Sequence, residues 1–106
     1  MTRPELVVQD APGQERYEAR AGDALAGISR YERAEPGGGG SGEPLFVFTH
    51  TEVDDAYEGQ GVGGTLVRGA LDDVRRRGAQ VVPLCPFVRS WIERHPDYQD
   101  LVAAGG

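Results

Sequence analysis

The sequence contains very little cysteine and no lysine. Its 106 residues include one Cys, one Trp, one Met and two His, and all 11 basic residues are Arg. A single Cys cannot form an internal disulfide, and this usage is typical of a reducing cytosol. One Cys and two His are also too few for a structural zinc site, so we expect no metal. The arginine bias is typical of a GC-rich genome and indicates no function.

Long apolar runs and an excess of positive charge are absent as well. The sequence has no stretch of about 18 apolar residues, which argues against a membrane-spanning helix. Its first four residues contain no apolar signal core, so we expect a cytoplasmic protein without a membrane partner. The net charge of -6 argues against nucleic acid as a partner, because the phosphate backbone is bound through surplus Lys and Arg. The length suits one domain over residues 1–106.

The apolar pattern predicts an α+β fold. We expect five strands at residues 5–9, 16–20, 24–33, 45–53 and 79–85, a long helix at 63–77, a short helix at 86–94 and a further helical turn at 97–102. Turn sequences separate the first four strands, which predicts an antiparallel meander. The strand–helix–strand link that follows predicts that strands 4 and 5 are parallel neighbours. Pro83 and Pro86 remove backbone donors at the end of strand 5, so we expect the two strands to separate there.

Other segments have simpler interpretations. The Gly- and Pro-rich stretch at 36–44 predicts a flexible hairpin loop, with a lid over the site as the alternative, and residues 103–106 predict a frayed tail. Phe87 and Trp91 recur at helical spacing and are expected in the core. The charged residues of the long helix, among them Asp73 and Arg77, are expected on a solvated face.

A glycine-rich loop joins the fourth strand to the long helix and contains Gly59, Gly61, Gly63 and Gly64. Such a loop at a helix N-terminus can bind an anion through backbone amides, although the glycine spacing is equally compatible with a simple turn. The P-loop pattern fails because Thr65, and no Lys, follows the last glycine. The dinucleotide fingerprint also fails, since the next strand ends in Cys-Pro and has no acidic residue.

A third pattern fits this loop. The run from residue 57 to 63, Tyr-Glu-Gly-Gln-Gly-Val-Gly, resembles the acetyl-coenzyme A loop of GNAT-type N-acetyltransferases, Arg/Gln-x-x-Gly-x-Gly/Ala. With His-Thr-Glu-Val at 50–53 and Pro-Leu-Cys-Pro at 83–86, the chain is similar to small, single-domain GNAT-like proteins of the YjdJ type over residues 46–98. Glu58 departs from the pattern, because an ionised carboxylate cannot donate a hydrogen bond to phosphate.

The resemblance implies a GNAT-like fold, in which strands 4 and 5 splay apart to admit the pantetheine arm, and acetyl-CoA as the cofactor. The residues that it implies for binding acetyl-CoA are Val53, Glu58, Gly59, Gln60, Gly61, Val62, Gly63, Gly64 and Thr65. Because Glu58 replaces Arg or Gln, pyrophosphate binding is expected to depend on backbone amides.

His50 and Glu52 are the candidate bases. In a regular strand they share a face with Phe46 and Phe48 and lie at the strand end near the loop. Transfer to an amine requires a base, because an ammonium is not nucleophilic, and also a donor for the tetrahedral oxyanion. The resemblance implies that Glu52 or His50 is the base and that the backbone N–H of Val53 binds the thioester oxygen. The alternative is an exposed polar strand end.

Cys85 and Tyr98 are further candidates. A free Cys is most often a small buried hydrophobe. As an alternative, the resemblance implies that Cys85 is acetylated after activation by His50, or that it protonates the departing coenzyme A. Tyr98 is a second candidate acid, although its position favours packing.

We therefore expect an N-acetyltransferase that acts on an amine of a small molecule or a protein. Compared with larger GNAT members, the sequence leaves no room for helices between strands 1 and 2, so the acceptor groove is expected to be shallow or completed by a second subunit in a homodimer. The alternative from another functional class is a non-catalytic acyl-coenzyme A binding module, which the substitution at Glu58 favours.

Overall fold

The computed structural model describes residues 5–34 and 44–103. The strands form one sheet in the order β1-β2-β3-β4-β5, and their bounds are Leu6–Ala11, Arg16–Ala21, Ala24–Ala34, Leu45–Val53 and Gln80–Pro83. Strands β1 to β4 pair antiparallel, and β5 is parallel to β4. Helix α1 spans Val62–Arg76, helix α2 spans Pro86–Glu93, and short 3₁₀ turns lie at Pro12–Gln14, Asp55–Tyr57 and Pro96–Leu101. The predicted meander with two parallel strands is confirmed.

Two predicted segments fall almost entirely outside the described residues. The hairpin loop at 36–44 is described only at Pro44, and the tail at 103–106 only at Ala103. Within residues 5–34 and 44–103 the longest helix has 15 residues, and none has the length and apolarity needed to cross a bilayer.

Helix α1 packs its apolar stripe against one face of the sheet, which we call the helix face. The buried residues of the stripe are Val62, Leu66, Val67, Ala70, Leu71 and Val74. They share a core with four aromatic side chains of the sheet, Tyr17, Tyr31, Phe46 and Phe48. Helix α1 ends at Arg76, and Gly78, two residues further on, has φ of 67° and donates its amide to the Arg75 carbonyl, which is typical of a glycine after a helix.

The C-terminal end of α1 is joined to the sheet by a partly buried polar network. The Tyr17 hydroxyl donates to Asp73 at 2.6 Å, and the Tyr31 hydroxyl donates to Asp10 at 2.5 Å. Arg77 pairs with both carboxylates at 2.9 Å. Arg77 is exposed, as the solvated-face prediction has it, but Asp73 is only partly so, because the Tyr17 phenol of the sheet reaches the helix and donates to its carboxylate. Burial raises the pKa of Tyr17, and the hydrogen bond to Asp73 raises it further.

A β-bulge in β4 changes which side chains face the core. Tyr31 of β3 lies opposite Phe48, but the preceding Arg30 lies opposite His50, so Thr49 is an extra residue in β4. The alternation of side chains is therefore reversed beyond Thr49. The prediction that His50 and Glu52 share a face with the core phenylalanines was wrong for this reason.

Strands β4 and β5 separate as predicted. Their pairing covers only Leu45 to Phe48 of β4, and the last link is the Cys85 amide, which donates to the Phe48 carbonyl at 2.8 Å. From Thr49 to Val53, β4 pairs with β3 alone. This part of β4 therefore presents one backbone edge to a gap between the two strands, which we call the β4–β5 gap.

Helix α2 packs across the first turn of α1. Trp91 and Val88 are buried in the shared core, as expected for Trp91. Phe87 is 42% exposed, so its prediction as a core residue was wrong. It lies instead over Gly63, where a Cβ atom would come within 2.6 Å of the ring. A side chain at position 63 would therefore displace the Phe87 ring.

Candidate active site

The loop between β4 and α1 ends in a helix start without a side-chain cap. Gly61 is the N-cap residue, with φ of 76°, a conformation that favours glycine. No side chain among the described residues caps this end, and the first turn contains no acidic residue. The first amides of any helix lack an internal partner, so those of Val62, Gly63 and Gly64 are available to an anion. The Thr65 amide is not, because it donates to the Gly61 carbonyl at 3.1 Å.

The remaining loop residues are exposed around this helix start. Glu58, Gly59 and Gln60 are all exposed. The preceding 3₁₀ turn is held by the Asp54 carboxylate, which accepts a hydrogen bond from the Ala56 amide at 2.9 Å. The turn places the glycines next to the end of β4, so the free amides and the β4–β5 gap are neighbours.

The amide of Val53 points into the β4–β5 gap. The next amide, that of Asp54, donates to the Ala26 carbonyl of β3 at 2.8 Å. Successive amides of a strand point to alternate edges, so the Val53 N–H points away from β3. It is therefore free of β3, and its contact with the thioester oxygen, which the resemblance implies, stays a prediction.

His50 and Glu52 lie together on the face of the sheet opposite α1, which we call the open face. Their side chains are 57% and 61% exposed, and His50 Nε2 lies 3.4 Å from Glu52 Oε1. Glu52 is directly opposite Ile28 of β3, a buried residue outside the α1 core. The pair is thus accessible from solvent and adjacent to an apolar floor.

Cys85 is not brought together with this pair. It is 3% exposed on the helix face, and its thiol lies 3.5 Å from the Thr51 hydroxyl. Thr51 in turn lies 3.0 Å from the hydroxyl of Ser29, which is 1% exposed. Because Thr51 and His50 point to opposite faces of β4, the strand lies between Cys85 and the imidazole. Sequence reasoning did not find Ser29 or Thr51, since their pairing depends on strand register.

Tyr98 has a packing role, as its position suggested. Its hydroxyl donates to Asp72 at 2.7 Å and accepts from Arg68 at 3.3 Å, and its ring packs against Trp91. Burial raises the pKa of Tyr98, and the bond to Asp72 adds to this effect. The hydroxyl is therefore committed to α1, away from His50 and Glu52.

A shallow depression on the open face adjoins Glu52. It has a volume of about 300 Å³, and its lining includes Arg16, Ile28, Arg30, Glu52 and Asp54. The two arginines were not singled out in the sequence. The alternation of residues along β2 and β3 predicts that Arg16 and Arg30 each lie on one face of a strand. Only the cross-strand register shows which residues lie opposite them. Among the described residues, no group of three or more His, Cys, Asp or Glu side chains is arranged to bind a metal ion.

A family model described as GCN5-related N-acetyl-transferase matches residues 16–101, which include strands β2 to β5, the loop and both helices. The chain belongs to the GCN5-related N-acetyltransferase family.

Two further comparisons agree with this membership. Protein NATD1 from Gallus gallus and from Homo sapiens is 31% identical over 55 residues, which is 52% of this chain. The match covers 50% of the chicken protein and 49% of the human one, so it spans about half the length of these curated relatives. A solved ribosomal-protein-alanine N-acetyltransferase from Brucella melitensis biovar Abortus 2308 superposes with a TM-score of 0.56 and 22% identity, covering 86% of this chain and 62% of that one. This likeness supports the GNAT fold.

Proposed function

We propose that this GNAT family member binds acetyl-CoA and transfers the acetyl group to an amine. The observation that carries the proposal is the juxtaposition of three features at one end of the sheet. An uncapped glycine-rich helix start lies beside the β4–β5 gap, and exposed Glu52 and His50 lie at the strand end that borders the gap. A helix start suits phosphate, and a carboxylate near the gap suits proton removal from an ammonium.

The chain's own atoms fit the cofactor. The amides of Val62, Gly63 and Gly64 would hold the pyrophosphate, since neither a cap nor an acidic residue competes for this helix start. Glu58 is exposed and need not face the phosphates. Acetyl-CoA, when bound, supplies an acetyl group activated as a thioester.

The proposed catalytic roles follow from exposure and direction. Glu52 removes a proton from the acceptor ammonium, and His50, at 3.4 Å, orients that carboxylate or shares the proton. The Val53 N–H would donate to the oxyanion from the gap. As the C–N bond forms, the C–S bond would break, and coenzyme A would leave as a thiolate that is protonated from solvent. Direct attack by the amine is favoured over an acetyl-cysteine intermediate, because Cys85 is buried on the other face of β4.

Calorimetry of coenzyme A binding tests the cofactor site. Gly64 suits the experiment because a Cβ there lies in ordinary contact with Trp91 at 3.6 Å, so a side chain is tolerated. Gly64→Asp places a carboxylate in the first turn and should weaken binding about 10-fold or more by repelling phosphate. Gly64→Asn is the matched control, with the same shape and no charge. Equal affinities of the two variants would contradict phosphate binding at this helix start.

Turnover separates the enzyme from the non-catalytic module. The protein is incubated with acetyl-CoA and a panel of amines, and thiol release is corrected for hydrolysis without an amine. We expect acetylated product for at least one acceptor class. Coenzyme A binding without any acetylated product would favour the acyl-coenzyme A binding module, a role compatible with the open acceptor side.

A further inference from the structure

Two arginines lie directly opposite each other on the open face. Arg16 of β2 is the cross-strand partner of Arg30 of β3, and Arg30 is the partner of His50 of β4. Like charges in directly opposite positions destabilise a sheet, and pairing with an opposite charge is favourable. Each arginine of this row is therefore expected to have a carboxylate partner.

Among the residues that the structure describes, Arg16 has such a carboxylate partner and Arg30 has none within salt-bridge distance. Glu18 is 3% exposed and bonds Arg16 at 2.7 Å and Arg20 at 3.1 Å. The hydrogen bond from Arg16 holds the pKa of Glu18 below its usual range, so both arginines have a permanent counter-charge. Arg30 is exposed, and none of the carboxylates in residues 5–34 and 44–103 lies within salt-bridge distance of it.

The depression beside Glu52 combines opposite charges around an apolar floor. Arg30 lines one side of it, Glu52 lines the other, and Ile28 lies at its base with 7% exposure. Asp54 also lines it, but that carboxylate already accepts a hydrogen bond from the Ala56 amide. Arg30 and Glu52 are diagonal neighbours across β3 and β4, a relation that separates the two residues by roughly 7–8 Å. The volume of about 300 Å³ is at the small end of ligand pockets.

We infer that the acceptor is a small zwitterion, an amino acid, with its ammonium at Glu52 and its carboxylate at Arg30. The inference rests on the proposed function, since it identifies Glu52 as the group that meets the reacting amine. A guanidinium binds a carboxylate through two parallel hydrogen bonds, which makes Arg30 the specificity-determining residue. The acceptor's aliphatic carbons would contact Ile28.

Binding can be measured without turnover through the isoleucine methyl groups. The sequence contains two isoleucines, Ile28 in the depression and Ile92 in α2, so methyl labelling gives a reporter and an internal reference. Pools of free amino acids, and the corresponding amino acid amides, are titrated in the presence of coenzyme A. A free amino acid should shift the Ile28 methyl signal and leave Ile92 unchanged, and its amide should bind at least about 10-fold more weakly.

Arginine variants identify the side chain that binds the carboxylate of the amino acid. Arg30→Gln should weaken amino acid binding about 10- to 100-fold, the range expected for a lost charge-assisted hydrogen bond, without affecting the amide. Arg76→Gln is the matched control, because Arg76 is 70% exposed at the far end of α1 and the same charge is removed. Three results would overturn the inference. They are equal affinities for the amino acid and its amide, an unchanged amino acid affinity of Arg30→Gln, and an Ile28 methyl signal that no pool shifts.

Mass spectrometry of the products separates this inference from the proposed function. Acetylated amino acids formed in preference to acetylated amides would support both. Amino acid binding that depends on Arg30, without any acetylated product, would support the zwitterion site and contradict the acetyltransferase function. Acetylation of amides and simple amines as fast as of amino acids would support the enzyme and overturn the acceptor class.

Discussion

The two ends of helix α1 differ in how their polar groups are satisfied. At the C-terminal end, the hydroxyls of Tyr17 and Tyr31 and the guanidinium of Arg77 bind Asp73 and Asp10, above an aromatic core. At the N-terminal end, the first amides of α1 are uncapped. The nearby edge of β4 that faces β5 is unpaired, and the side chains of His50 and Glu52 are exposed. One end is therefore built to hold the helix on the sheet, and the other retains free donors for a ligand.

This contrast shows that a polar residue's partners decide whether it supports stability or function. Asp73 is partly buried, and its carboxylate is bound by Tyr17, Arg76 and Arg77. Burial alone would raise its pKa, but the hydrogen bond from Tyr17 and the charges of Arg77 and Arg76 outweigh burial and lower that pKa. Glu52 has only the neighbouring His50 and remains accessible. The following substitutions test whether the two ends can be changed independently.

Glu52→Gln should have the largest effect. Loss of the base should reduce the turnover number by about 100- to 10,000-fold while coenzyme A affinity and stability stay unchanged, because the side chain is exposed. Steady-state kinetics and calorimetry measure the two quantities. Glu32→Gln, an exposed carboxylate elsewhere on β3, is the control. A rate within a few-fold of the wild type would remove Glu52 from the mechanism.

Asp73→Ala should act at the opposite end and on stability. The Tyr17 hydroxyl and two arginines would lose their acceptor, which should cost about 2–4 kcal/mol of the free energy of unfolding. Chemical denaturation measures the loss, and coenzyme A affinity of the folded variant should be unchanged. Asp100→Ala, at an exposed ion pair with Arg75, should leave stability almost unaffected. Weakened coenzyme A binding by Asp73→Ala would show that the two ends are coupled.

Cys85→Ala tests whether the thiol contributes to stability alone or also to the reaction. The thiol is buried and contacts Thr51, so its loss should cost about 1 kcal/mol of stability through a small cavity. Turnover should stay within a few-fold of the wild type if the amine attacks directly. An inactive variant, together with a stoichiometric acetyl adduct on wild-type Cys85 that an amine discharges, would instead establish a covalent mechanism.

Glu18→Gln should have the smallest effect and depend on pH. Arg16 lowers the pKa of Glu18 in the folded protein, so the folded state binds fewer protons than the unfolded chain near that pKa. The stabilisation is present above the unfolded pKa of about 4.3 and is lost as pH falls through the folded value. The wild type should exceed the variant by on the order of 1 kcal/mol at neutral pH, and the difference should shrink below about pH 4 in denaturation curves. A constant difference across this range would rule out the ion pairs as its source.

Much of the candidate site could be predicted because its signals are local. The glycine loop at Gly59 to Gly64 lies at a helix start, as its sequence indicated, and the gap follows from Pro83 at the end of β5. Other features could not be predicted because they depend on partners far along the chain. Glu52 lies on the open face because of the bulge at Thr49. The proposed role of Arg30 depends on its position opposite Arg16 and His50.

The sequence by itself determined the order and type of the elements, the stripe that α1 buries and the family of the fold, since periodicity, turn residues and helix ends are properties of neighbouring residues. Only the tertiary structure decided which face His50 and Glu52 occupy, that Cys85 lies on the other, and that Asp73 is hydrogen-bonded to Tyr17 of the sheet. One physical reason is that an extra residue in a strand moves every later side chain to the opposite face of the sheet. Another is that the hydrogen-bond partners of a polar group come within reach only when the chain folds.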